Sequence, residues 1–568
     1  MPICRSIVLV LAATGALPLA AGAQIPPKPL PRRSTGPAGA AAPGVTTRAI
    51  TAADMRHRLF LIADDSMGGR ATGSWGNYQA ANYIAAEFKR LGLRAAGENG
   101  GWFQVVPFFR QAADPKGTLV TGSATLRIGH DYIVATSSTI PRSLEGKRVV
   151  FGGSMTDSST WISADSARDR VVVLSAPPRT NFLVALRVAR EARFAGAAAV
   201  ALPVLESLPA EFAAALMAGR VMTDTTRTAE GPGRLFVSAR AVEQLLGRSP
   251  EGLTPGTLGD VVHGAGTVAF TPLPYAARNV VAILPGRDRK LAGSYVALTA
   301  HNDHVGFDFS PVDHDSLRAR NLVVRPMGAD SPEREPTALE WVTIRQSLDS
   351  LRRLRPPRLD SIRNGADDDG SGTVALLEVA EALSSGASRP RRSILFVSHA
   401  AEEEGLRGSQ WFTDHPTVTR DSIVSEFDMD MVARGGIRDV EGGGPAYLEV
   451  IGMRRLSREY GDIIEAANAR QPLPFAFNRT FDAPGHPLQY YCRADHYSYA
   501  RYDIPSVAVS RGEHADYHQV TDEAQYADFD GMVRVAKLAE SVMRAVGNLD
   551  HRPRVDFARH DPKAPCRQ

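Results

Sequence analysis

The sequence predicts an α/β protein whose mixed, mainly parallel sheet is flanked by helices, with a smaller α+β unit inserted into it. Three observations carry this. From Arg278 to about Leu549, short apolar runs bounded by turn residues (RNVVAILPG, YVALTA, SILFVS, IPSVAVS) alternate with amphipathic stretches of ten or more residues, the pattern of strands joined by crossover helices. Between about 115 and 275 the runs shorten, and RVVVLS, the helical stretch Phe182–Ala195 and GAAAVAL form one strand–helix–strand unit. The 568 residues are also ordinary globular chemistry, 43% hydrophobic and 22% charged with mean hydropathy −0.17. At roughly 100–200 residues per domain this length predicts about three units, or one large domain carrying insertions, and excludes a small disulfide-stapled scaffold. Lys and Arg total 65 against 62 Asp and Glu, a net charge of +3 that does not point to nucleic acid or an anionic membrane as partner.

Taken in order, residues 1–23 read as a signal peptide: Arg5 gives a positive start, Ser6 to Ala20 is an apolar run too short to span a membrane, and Ala21-Gly22-Ala23 is an A-x-A cleavage site. An exported chain, periplasmic or secreted and without stable membrane insertion after cleavage, is the expectation. Of three cysteines Cys4 would leave with the signal, and Cys492 and Cys566 could pair in an oxidising compartment. Residues 24–45 are a Pro/Gly/Ala linker expected to be disordered. In 46–114, Ala81, Ile84, Ala85 and Phe88 recur at helical spacing, closed by Gly92. The inserted unit follows at 115–275. The region 276–549 alternates strands (Tyr295–Ala300, Ser393–Ser398, Val424–Asp428, Ser506–Ser510) with helices (Thr373–Leu383, Met532–Val546). It is interrupted at 308–363 by a charged, Pro-containing surface insertion, helical around Leu339–Leu354, and 550–568 is a tail.

Chemistry-bearing residues concentrate at strand ends, where open α/β sheets bind ligands. His301-Asn302-Asp303 follows YVALTA, and Asp367-Asp368-Asp369 sits in a Gly-flanked turn before TVALLEVAEAL. One aspartate would suffice to cap that helix; three fit a cation better. Glu402-Glu403-Glu404 follows SILFVS, and neighbouring glutamates can divide the work of binding metal and acting as general base. Asp428 and Asp430 close a fourth apolar run, where an acid is costly unless paired or metal-bound. Asp495-His496 and then His514, Asp516, Tyr517, His518 and Asp522 flank IPSVAVS. Five such clusters supply the oxygen and nitrogen donors of a two-metal hydrolytic site. His304, His399, His496 and His514 are surplus and expected to be mostly structural.

In this order HND, GADDDGSG, AAEEEGLRGS, DMDM, RADHYSYARYDIP and YHQVTDE resemble the motif set of the M28 family of co-catalytic zinc aminopeptidases, over about 278–545 with a helical lead-in at about 50–110. The segment 115–275 resembles the protease-associated domain that many of these enzymes carry. The resemblance implies a zinc-peptidase fold and two Zn²⁺, with Mn²⁺ or Co²⁺ as substitutes. His301 and Asp430 would hold one ion, Glu403 and His518 the other, and Asp368 would bridge them. It implies removal of N-terminal residues from peptides with a free amine, by attack of a bridging water with Glu402 as general base. Asp303 and Asp495 would orient His301 and His518, and Tyr491 would stabilise the oxyanion. Two departures stand out: 65 positions separate Asp303 from Asp368, and His304 directly follows the HND motif, where it could add an adventitious ligand. A carboxypeptidase, dipeptidase or glutaminyl cyclase on the same fold is the alternative enzyme, and a binding ectodomain the non-catalytic one.

Overall fold

The computed structural model describes residues 46–114, 116–122, 124–135, 140–223, 230–264, 268–332, 334–384, 389–559 and 561–568, so the expected signal and linker lie outside the described residues. Contacts divide the chain into two units: Pro107–Leu273, and the described residues up to Val106 together with Pro274–Gln568.

The second unit is a mixed α/β domain. Among the described residues its sheet runs in the order Arg94–Ala95, Ala277–Leu284, Ser393–His399, Tyr295–His301, Ile423–Met429, Ser506–Ser510, Tyr447–Ile451 and Ala476–Asn478, with Phe103–Val106 also on Ala277–Leu284. The four central strands, from Ser393–His399 to Ser506–Ser510, are mutually parallel and both edges turn antiparallel. Their carboxyl ends therefore open on one side, where His301 lies in register with His399. Helices Ala52–Ile62, Trp75–Arg90, Gly372–Ser384 and Phe529–Gly547 bury their apolar residues in the largest core cluster. Trp75–Arg90 starts at Ser74, whose side chain accepts from the Asn77 N–H, and ends before Gly92 in the left-handed region.

Helix Gly372–Ser384 is buried on every face, its two glutamates included as well as its apolar residues. Glu378 and Glu381 are sustained there by the fully buried Arg58 of the first helix, which contacts Glu378 and lies 2.6 Å from Glu381 and 3.0 Å from Glu87. A buried guanidinium among carboxylates holds only as a set, because removing one member strands the others.

Among the described residues the inserted unit carries an eight-stranded sheet in which Val171–Ser175 and Ala199–Leu202 pair in parallel. It begins before the expected residue 115, because Phe108–Ala113 pairs with Arg220–Thr223 and Val268–Pro272. The helix expected over Phe182–Ala195 stops at Val188; Glu191 is extended, and Ala192–Phe194 forms a separate 3₁₀ turn.

The expected surface insertion 308–363 is instead integrated into the second unit. Strands Phe307–Asp313 and Leu359–Ile362 pair antiparallel around helices His314–Val324 and Ala338–Leu354, the latter started by a Thr337/Glu340 capping box. Arg318 contacts Asp516, Arg325 donates to the Ala515 carbonyl at 2.7 Å, and His314 and Asp315 are fully buried. The C-terminal stretch is also fixed, by the Cys492–Cys566 disulfide and the Asp556 N–H to Leu456 carbonyl bond of 2.8 Å.

Glu449, on the strand Tyr447–Ile451, is 2% exposed and accepts a 2.5 Å hydrogen bond from Tyr447. Burial raises its carboxyl to about 8; the Tyr447 bond opposes that, and Glu513 and Asp330 add to it. The unfolded chain loses this proton near 4.5, so the native state binds it more tightly. The associated stability is complete below that value and is lost as pH rises through about 8. Glu449→Gln should therefore flatten the pH dependence of the urea midpoint between about pH 5 and 8, removing a wild-type decline worth about 4 kcal/mol. Parallel profiles for the two proteins would show that the carboxyl ionises freely in the fold.

Candidate metal centre

The carboxyl ends of the central strands and the loops beyond them assemble the site. His301 is the last residue of its strand, Asp430 follows Ile423–Met429, Glu402 and Glu403 lie in the turn after Ser393–His399, and His518 is in the loop after Ser506–Ser510. Asp368 comes from Ala366–Ser371, just before the buried helix.

The three consecutive aspartates take different directions. Asp367 turns to the backbone, accepting the Ala433 N–H at 2.6 Å and the Ser371 hydroxyl at 2.8 Å. Asp369 does the same for the N–H groups of His301 at 3.0 Å and Gly372 at 2.9 Å. Both therefore tie the loop to neighbouring strand ends. Asp368, whose N–H donates to Asp522 at 3.2 Å, is left for the site.

Its two oxygens serve two groups. Asp368 Oδ1 is 3.2 Å from His301 Nε2, which is 3.6 Å from Asp430 Oδ1. Asp368 Oδ2 is 3.0 Å from His518 Nε2, which is also 3.0 Å from Glu403 Oε2. His304 joins the second group, its Nδ1 3.0 Å from Glu403 Oε1 and 3.5 Å from Asp368 Oδ2. Within each group one donor atom per residue lies within 4.8 Å of the others. His301 Nε2, His518 Nε2 and Asp368 Oδ2 are buried without hydrogen-bond partners among the described residues. Unpaired buried donors of this type, arranged around a shared carboxylate, fit a pair of borderline divalent cations.

The electrostatics agree. Burial alone would lower the His518 imidazole, but Glu403 and Asp368 override it and hold it at about 10. Burial also raises Asp430 and Glu402, and close carboxylates add to both. The ligand cluster thus concentrates negative charge that protons or metal ions must offset, and metal loading should release protons.

Glu402 is half-buried next to these ligands. Its N–H donates to Asp303 Oδ1 at 3.1 Å, while Asp303 Oδ2 accepts the Thr72 hydroxyl at 2.9 Å and Oδ1 lies 3.6 Å from His301 Nδ1. Asp303 is placed to fix both the glutamate and the imidazole.

Two expected placements differ. Tyr491 packs with His496 and Tyr497 beneath Arg455, and the charges that act on it are Arg455, Arg559 and Asp482, none of them a member of the ligand cluster. The Cys492–Cys566 bridge and the bond from the Tyr491 N–H to Gln568 Oε1 at 2.8 Å hold that segment. The tyrosine beside the ligands is Tyr517, stacked on His518 at 3.8 Å and within the field of Asp368 and Glu403. Asp495 is buried near Asp428, His301 and Asp303, not at His518. Arg493, paired with Glu513 at 3.0 Å and within the field of Glu402, had no distinguishing signal in the sequence. Of the surplus histidines, His399 bonds the Tyr499 hydroxyl at 3.0 Å and His514 lies 3.3 Å from Asp367, so both support the scaffold.

Gly365 admits the His304 ring. Its φ is +56°, and a Cβ there would lie 2.5 Å from that ring and 2.3 Å from the Asp368 carbonyl oxygen. Gly365→Ala should displace both residues and weaken zinc binding by about 10–100-fold. Competition against a zinc indicator checks this, and unchanged affinity would show that the loop accommodates a side chain.

Residues 279–543 match the family model described as Peptidase family M28. This stretch of the chain belongs to peptidase family M28. Leucine aminopeptidase 1 of Paracoccidioides brasiliensis (strain Pb18) is 32% identical to this chain over 185 residues, 31% of this chain and 44% of the relative. Aminopeptidase Y of Saccharomyces cerevisiae is 26% identical over 216 residues, 35% of this chain and 37% of the relative. The chain thus spans less than half the length of these two relatives. Among solved structures, an aminopeptidase from Aneurinibacillus sp. strain AM-1 has a TM-score of 0.44 at 16% identity, covering 90% of this chain and 98% of that one. A zinc aminopeptidase from Bacillus subtilis also gives 0.44 at 16%, covering 88% and 95%. No helix among the described residues is long and apolar enough to cross a membrane.

Proposed function

We propose that the M28 domain is a zinc-dependent aminopeptidase that removes N-terminal residues from peptides. The observation that carries this reading is Asp368 shared between two histidine-carboxylate groups with Glu402 beside them. His301, Asp368 and Asp430 would hold one ion and Asp368, Glu403 and His518 the other, with His304 close to the second. When bound, the zinc pair supplies an acidified water and polarises the scissile carbonyl, and manganese or cobalt suits the same donors.

The chain's own residues do the rest. Glu402 takes the proton of the attacking water and returns it to the leaving nitrogen as the C–N bond breaks, so it ends as it began. The raised affinity of its carboxyl for a proton, caused by burial among acids, suits that exchange. Asp303 holds Glu402 through its backbone. A free substrate α-amine would be held by a metal ion or a neighbouring carboxylate of this centre, which favours trimming from the N-terminus. The similarity to leucine aminopeptidase 1 and aminopeptidase Y supports the same activity. The inserted unit is read as an accessory domain of the protease-associated kind. Export is supported by the N-terminal pattern and by the Cys492–Cys566 bridge, a bond of oxidising compartments.

An arginine beside Glu402 is what a carboxypeptidase would use to hold a substrate carboxylate, but the Arg493 guanidinium is already paired with Glu513. Leu- and Arg-p-nitroanilide, their N-blocked forms and a C-terminal reporter peptide separate the readings. Turnover of the free-amine substrates alone is expected; cleavage of the C-terminal reporter with inert free-amine substrates would reassign the enzyme as a carboxypeptidase.

A further inference from the structure

Away from the shared-aspartate centre a third set of donor atoms converges within 4.8 Å: His314, Asp360 and Glu523. They come from three segments. His314 opens the helix His314–Val324, Asp360 lies on the strand Leu359–Ile362, and Glu523 follows Asp522 in the loop that carries His518.

The imidazole of His314 is fully buried and its two nitrogens face opposite carboxylates. Nδ1 is 3.2 Å from Asp315 Oδ1, and Asp315 is itself held by Arg355 Nε at 3.0 Å and Arg352 at 3.5 Å. Nε2 has no hydrogen-bond partner among the described residues and points to Glu523 Oε1, 3.5 Å away. A neutral ring that donates Nδ1–H to Asp315 leaves the Nε2 lone pair facing a carboxylate, and the other tautomer moves the same conflict to Asp315. An imidazolium, a protonated Glu523 carboxyl or a cation between Nε2 and Glu523 removes it, and burial, which raises Glu523 to about 7, makes the protonated carboxyl the competitor of the cation near neutral pH.

We propose that His314, Asp360 and Glu523 form a second, non-catalytic zinc site that fastens the 308–363 segment to the His518 loop. An imidazole that gives its other N–H to a carboxylate is the usual arrangement behind a metal ligand, and here Asp315 already provides it, clamped by two arginines. One nitrogen and two carboxylate donors suit zinc, with the remaining position open to water. Arg358 also contacts Glu523 and lies 3.6 Å from Asp360 Oδ2. One guanidinium does not balance Asp360, Glu523 and the nearby Asp65, so it remains as a hydrogen-bonding partner of the carboxylates when the ion is present. An Arg358-bridged ion pair with no metal is the competing arrangement. The site is separate from the proposed catalytic ions, and its consequence is mechanical: it holds the loop whose Asp522 binds the N–H groups of Asp367 and Asp368.

The test is zinc stoichiometry of the purified full chain, chelated, reloaded with excess zinc, dialysed and measured by atomic emission. Wild type, Asp360→Asn, His314→Phe and His518→Ala are compared, with circular dichroism to select folded variants. Three ions in wild type and two in Asp360→Asn or His314→Phe are expected. Replacing zinc by cobalt should show the same loss as a weaker visible absorption. His518→Ala, which affects the catalytic pair, should keep the ion at His314. Equal counts in wild type and Asp360→Asn would overturn the proposal in favour of the Arg358 ion pair. A wild-type count of two under that result leaves the catalytic pair standing, and a count of one or none that His518→Ala does not change removes both.

Discussion

Glu402→Gln is expected to lower kcat on a free-amine peptide substrate by about 10²–10⁴-fold while the protein keeps its full zinc content. The amide matches the carboxylate in size and leaves the backbone bond to Asp303 in place, but it cannot take a proton from water. KM should change little, because Glu402 is not among the clustered ligand atoms. Steady-state kinetics beside metal analysis makes the distinction. Lost activity with lost metal would make Glu402 a ligand, and retained activity would move the general base elsewhere.

Asp368→Asn is expected to have the larger effect on the metal. Asp368 is the residue common to both donor groups, so its replacement should weaken both ions, beyond the about 10–100-fold typical of residues that only orient a ligand. Asp430→Asn touches one group and should weaken one. Titration with zinc, read by calorimetry, should show two binding events in wild type, both weakened in Asp368→Asn and one preserved in Asp430→Asn. Equal effects of the two substitutions would contradict a shared carboxylate. The same experiment in buffers of differing ionisation enthalpy should show protons released on loading, since His518 is held protonated up to about 10 by Glu403 and Asp368 against the effect of burial.

The strands and the clustering of the donor side chains were legible because they depend on local pattern. An apolar run such as YVALTA ending in His301 announces both a buried strand and a donor at its carboxyl end, and the structure places His301, Asp368, Glu403, Asp430 and His518 together. What was not legible depends on distant partners. Nothing near Glu378 and Glu381 in the chain announces Arg58, over 300 residues away, which the fold brings against them. The 308–363 segment reads as a surface insertion because its charges look solvated, yet Asp315 and Arg318 are partnered inside the unit. Tyr491 stands in the motif position for an oxyanion donor, but its segment is tied to the C-terminal stretch by a disulfide, and Tyr517 occupies the place beside the ligands. His304 follows HND with nothing to show which way it turns; the left-handed Gly365 makes room for its ring against Glu403.

Anomalous diffraction at the zinc edge, from crystals of the zinc-loaded protein, tests the shared-aspartate centre most directly. Two peaks are expected on either side of the Asp368 carboxylate, one among His301, Asp368 and Asp430 and the other among Asp368, Glu403 and His518. A single peak at this centre, or none, would contradict a two-metal site.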